Sequence, residues 1–220
     1  MTSGPEESLA DLLGGRRGAV DATGPPVVFV VAWLVSDGSV GTAAVAAVTV
    51  ALLVAGWRLG HGHRPRGVLV GVLGVAVGAL VALRTGRAED FFLVQMAANA
   101  ASALVWMVSI AFRWPLLGVV VGTLLGQRAR WREDPDLLRA YGRASWTWVV
   151  QYLIRLAVFV PLWWAGQVLA LGVARIVLSW PLVATCVGVS WWVLRRTLPR
   201  DHPGVRHPRP TTSAPRVAER

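Results

Sequence analysis

The stretch PLLGVVVGTLLG, residues 115–126, decides how this chain is threaded. It is almost wholly apolar, but as a helix its twelve residues reach only about 18 Å, against a bilayer core of about 30 Å. Longer apolar runs lie on both sides of it. The chain has 220 residues, 55% of them hydrophobic and 15% charged, with a mean hydropathy of +0.53. A soluble domain of this length needs more polar surface to cover its core. The pattern is that of an all-α polytopic integral membrane protein. Six transmembrane helices are expected at about 21–36, 40–57, 67–83, 91–112, 145–165 and 169–194, and 115–126 is a short re-entrant or interfacial segment.

Arginine placement settles the role of that segment. All 22 basic residues are arginine, which reads as the coding bias of a GC-rich genome. If 115–126 does not cross, eighteen arginines fall on one side, Arg84 and Arg87 on the other, and Arg155 and Arg175 within spans. If it crosses, fourteen fall outside and six inside, the reverse of the positive-inside bias. The expectation is therefore a multi-pass protein of the cytoplasmic (inner) membrane with both termini cytoplasmic. The net charge of +10 follows this orientation and does not imply nucleic acid. The tryptophans agree. Trp57, Trp114, Trp131, Trp146, Trp148, Trp191 and Trp192 fall at the inner interface, and Trp33, Trp163 and Trp164 at the outer one.

The membrane domain is expected over 25–196. Before it, residues 1–24 form a cytoplasmic segment in which SLADLLGG makes a short surface helix started by Ser8. No cleavable signal peptide precedes the first apolar run. SDGS (36–39) makes a tight turn, and a cytoplasmic helix at about 135–143 is capped by the acids of REDPD. Pro161 and Pro181 are expected to kink their spans. Residues 197–220, rich in Pro, Arg and Thr, read as a disordered cytoplasmic tail.

The third span carries Gly67, Gly71, Gly74 and Gly78 on one helix face, matched by AANAASA (97–103) in the fourth. Small residues let helices approach closely where lipid supplies no hydrophobic drive, so these two spans are expected to pair. Gly118, Gly122 and Gly126 form a second stripe within 115–126.

QYLIRLAVFVPLWW (151–164) places Arg155 about 15 Å deep. Arginine stays charged there, at a cost of roughly 2.5–3.5 kcal/mol on insertion scales. It must face the bundle interior or a wet cavity. The expected cluster is Arg155 with Gln95, Asn99 and Gln151, and Arg175 pairs with Asp90 nearer the outer face. One reading is an anion site for a lipid phosphate or small carboxylate; the other is a hydrogen-bond network that fixes helix register. HGH (61–63) lacks a third ligand and reads as a basic turn rather than a metal site. The single cysteine, Cys186, is a packing residue. No catalytic triad, metalloprotease motif or phosphate-cradling loop appears, so no catalytic residue, cofactor or metal is expected and the chain leans away from enzymes.

LADLLGGRRGAVDATGPPVVFV, RTGRAEDFF, RWPLLGVVVGTLLGQ and WREDPDLLRAYGRASWTW, in this order, resemble the actinobacterial membrane family called domain of unknown function 3159, over roughly residues 8–196. That resemblance implies no established activity. Asp90–Phe92, Arg113–Gly126 and Trp131–Trp148 are more distantly similar to the bacterial intracellular septation protein A family, which implies a role in the cell envelope or division. The functional expectation is a non-enzymatic envelope or division component whose partners are the bilayer, anionic headgroups at the cytoplasmic face and envelope membrane proteins. The alternative is a small transporter or channel with its anion site at Arg155.

Overall fold

The computed structural model describes residues 15–62, 65–127, 129–199, 202–205 and 209. No strand occurs among them. The helices are α1 (Gly15–Val35), α2 (Val40–Gly60), α3 (Pro65–Thr85), α4 (Leu93–Ala111), α5 (Leu116–Leu124), α6 (Pro135–Trp164), α7 (Val168–Val177) and α8 (Trp180–Thr197). Short 3-10 turns cover Ala88–Phe92 and Arg130–Arg132. Five helical stretches are long and apolar enough to cross a membrane: α2, α3, Ala88–Ala111, α6 and Val168–Thr197. The chain is therefore a multi-pass membrane protein. The first span expected, at 21–36, falls in α1, whose apolar part, Gly24–Val35, is shorter than these five and is not among them. The surface helix expected in SLADLLGG lies largely outside the described residues.

The chain divides into two compact units, Met1–Ala98 with Arg155–Pro181, and Asn99–Ile154 with Leu182–Arg220. In the first, Asp37 and Gly38 take positive φ (52° and 86°) to make the turn between α1 and α2. Ser39 then caps α2, its hydroxyl accepting from the Thr42 N–H at 3.4 Å. Ala43, Ala44, Ala47, Ala51 and Ala55 form the buried face of α2, which packs against both α1 and α3. These methyl-sized side chains let three backbones approach closely.

The glycines of α3 behave differently from the expectation. A Cβ on Gly67, Gly71 or Gly74 would meet nothing within 4 Å. Only Gly78 is a tight contact, where a Cβ would lie 2.7 Å from the Phe91 carbonyl oxygen. The stripe therefore seats the 3-10 turn at its last position and leaves the rest of that face open. Phe91 stacks on Phe29 with ring centres 4.0 Å apart, and Phe92 stands 6.4 Å from Phe159. Gly172 of α7 admits Val30 of α1, since a Cβ there would be 2.9 Å from the valine methyl.

In the second unit, Trp131 is buried among Leu117, Leu137, Tyr141 and Leu194. It belongs to this core and not to the interfacial belt in which its position in the sequence placed it. The Gly118 of α5 makes room for it, since a Cβ there would come within 2.8 Å of the indole. With nine residues, α5 reaches about 14 Å. The separate helix expected at 135–143 and the span at 145–165 are one helix, α6, of 30 residues. No proline interrupts it before Pro161, and Gly142 alone costs about 1 kcal/mol, too little to break it. The last span does break, at Leu178 and Ser179, between α7 and α8. Pro181 has no N–H for the Val177 carbonyl, and its ring clashes with a carbonyl four residues back.

Of the tail expected over 197–220, the described residues make contacts with this unit. The side-chain amide of Gln127 donates to the Val205 carbonyl at 2.8 Å, and Leu198 and Val205 pack on the Trp131 core.

Candidate functional site

The break between α7 and α8 leaves polar backbone at mid-span. Arg155 answers it. Its guanidinium donates to the Ser179 carbonyl oxygen in a long bond of 3.4 Å. Arg155 lies nine residues before Trp164, the end of α6, hence about 14 Å along the helix. Non-helical backbone at membrane depth is tolerated where protein or a polar cavity satisfies it.

Arg175, on α7, donates to the side-chain carbonyl of Gln95 at 2.5 Å. The expected partner, Asp90, instead accepts from the Trp163 indole at 2.7 Å. Arg87 bonds Glu89 at 2.7 Å and lies 5.4 Å over the Trp163 ring. The acids of this loop are thus engaged by Arg87 and Trp163, and Arg175 faces a neutral amide.

Arg175 also lines a cavity of about 330 Å³ together with Arg58. Ala51, Ala55, Gly67 and Gly71 form much of the wall. Two glycines of the open α3 stripe, Gly67 and Gly71, thus border this cavity. Arg58 went unrecognised in the sequence because it stands in the last turn of α2, where an arginine also suits the helix dipole and the interface. A charge whose apolar run is flanked by small residues on the next span was the available signal.

Arg155, Arg175, Gln95 and Asp90 belong to the first unit. Asn99 and Gln151 are buried in the second. There Thr147 and the Trp148 indole both bond the Ser190 hydroxyl, at 2.8 and 3.2 Å.

A second constellation converges on Asp134. One carboxylate oxygen accepts from the N–H groups of Asp136 (3.0 Å) and Leu137 (3.2 Å), capping α6 as the sequence suggested. The other accepts from His202 Nε2 and from the Arg209 N–H, both at 2.8 Å. Burial works against the charge, but these donors outweigh it and hold the carboxyl below its usual range. The histidine could not be seen in advance, since it sits in a Pro- and Arg-rich stretch with no periodicity.

A family model described as a protein of unknown function, DUF3159, matches residues 13–201. No curated protein and no solved structure matches the chain.

Proposed function

The chain belongs to the DUF3159 family, and from that premise we propose that this multi-pass membrane protein binds an anionic group, a lipid phosphate or a small carboxylate, at the arginines beside its broken helix. One observation carries the reading: Arg58 and Arg175 line the same cavity of about 330 Å³, and the hydrogen bond of Arg175 goes to a neutral amide. Positive charge in a low-dielectric site is costly unless an anion compensates it. Among the described residues Arg175 meets no carboxylate, and that favours a ligand at the site.

The broken last span supports a second reading, that the bound anion is carried across. Discontinuous helices with freed backbone at mid-membrane are how many carriers build their sites. The arginine distribution supports six spans, with α1 as the first and both termini in the cytoplasm. In that threading the cavity runs inward from Arg58 and Gly67 at the cytoplasmic ends of α2 and α3.

The test is native mass spectrometry of protein extracted with its lipids, combined with anion titration in nanodiscs of neutral lipid. The wild type is expected to retain an anionic lipid or to bind a carboxylate or phosphate. Arg175→Gln, which removes charge, and Gly71→Leu, which fills the cavity and keeps charge, should each abolish this. An unchanged ligand complement in both variants refutes the site. Anion flux in proteoliposomes, present in the wild type and absent from the same variants, separates a carrier from a binder.

A further inference from the structure

The second unit carries its own charged rim. Arg132 stacks over Trp114 at 4.4 Å, Arg195 over Trp191 at 4.7 Å and Arg196 over Trp192 at 4.4 Å. Guanidinium on indole is the arrangement suited to a membrane interface, where one partner is apolar and the other hydrated. Beside the first of these pairs is a cleft of about 200 Å³ lined by Ile110, Arg113, Pro115, Leu138, Arg139 and Gly142. It opens where α4 ends and α6 begins.

Arg113 is held there against its backbone preference. It follows α4 with φ of 55°, in the left-handed region that glycine adopts at helix ends. Its N–H bonds the Ile110 carbonyl at 3.0 Å, and the next N–H, of Trp114, reaches back to Ser109 at 2.9 Å. An arginine at such a position is strained, and strain of this kind concentrates where a side chain has work to do. No hydrogen bond or ion pair engages the Arg113 side chain among the described residues. Across the cleft, Arg139 is 68% exposed and pairs with Asp136 at 3.1 Å. Phe112, beside Arg113, is 77% exposed.

We propose that this cleft seats the phosphate of an anionic phospholipid. Arg113 supplies charge-assisted donors that a phosphate takes, and Arg139 adds the N–H groups left over from its bonds to Asp136 and the Pro135 carbonyl. Ile110 and Leu138 border the cleft with apolar surface for the start of the acyl chains, and Phe112 extends it. A free phosphate meets the charge and gains nothing from the apolar border, so the lipid is the better fit. The site is separate from the cavity of the first unit and does not depend on it.

Full-length protein in nanodiscs containing headgroup-photoreactive phosphatidylglycerol tests this, with crosslinked peptides mapped by mass spectrometry. Label is expected on the peptides spanning 110–115 and 138–142. Gly142→Leu leaves both arginines in place and fills the cleft; Arg113→Gly removes the guanidinium and relieves the backbone strain. Arg113→Gly should lower labelling of those peptides about fivefold, the factor that one arginine near an anionic headgroup is worth, and Gly142→Leu should lower it by excluding the headgroup from the cleft. Arg113→Gly should meanwhile raise the unfolding temperature, which separates failure to bind from failure to fold. Labelling that persists in both variants overturns the proposal. Displacement of the lipid by inorganic phosphate alone also overturns it, by showing a free-anion site.

Discussion

At Gly78 an added methyl would sit 2.7 Å from the Phe91 carbonyl oxygen, and at Gly74 it would meet nothing. Gly78→Ala should therefore cost about 1–3 kcal/mol, because backbone must move. Gly74→Ala should be neutral, or gain up to about 1 kcal/mol from helix propensity. Thermal unfolding in detergent measures both, and equal effects would remove the close approach from the account. Asp134 gives a pH prediction at the same scale. Its carboxyl sits below its ordinary value of 3.8 when folded. The stabilisation is thus present above that pH and is lost as the pH falls through the lower folded value. Protease cleavage near residues 127–134 should be slow at neutral pH and rise in acid. Asp134→Asn should show the fast cleavage at every pH, since losing the acceptor for buried donors costs about 1–3 kcal/mol. Of the site, Arg155, Arg175 and Gln95 were legible because polar groups are rare in apolar runs. The pairing of Arg175 with Gln95 rather than with Asp90 was not. Gln95 and Asn99 lie one turn apart, and sequence does not reveal which turn of a span faces which neighbour.

Among the elements, α6 and the α7–α8 pair carry the main differences from expectation. Spans could be found by hydropathy, but α6 also continues through a polar segment, and polarity alone does not end a helix. Its continuity predicts that Gly142→Ala stabilises the protein by up to about 1 kcal/mol, as nothing lies within 4 Å of the new Cβ. Destabilisation in denaturant unfolding would instead place a bend or a close neighbour at that residue. For α7 and α8 the proline was the visible signal, and a kink was the expectation. The structure instead shows a full break, beside which Arg155, from another helix, donates to the Ser179 carbonyl. The packing residues of α2 were overlooked for a related reason. Its alanines are as small as glycines for this purpose, but alanine is common in every apolar run of this chain and does not stand out.

For the whole molecule, threading is the property that rests most on arginine placement. In a Cys186→Ser background, cysteines at Gly62 and Glu133 should react with an impermeant reagent only after cells are opened. A cysteine at Gly86 should react in intact cells. An N-terminal tag then decides the count: it is protected if α1 crosses and exposed if only the five long spans do. Reaction at Gly62 from outside would reverse the whole orientation, and with it the face from which the arginine cavity opens.

Asp134 also ties together parts of the chain made at very different moments. His202 leaves the ribosome only after every apolar segment has been handed to the translocation machinery, so throughout synthesis the carboxylate waits without half of its donors. Closure of the second unit is then a final act of biogenesis. A nascent chain interrupted before that histidine would be fully inserted yet unlatched, with Trp131 less well covered.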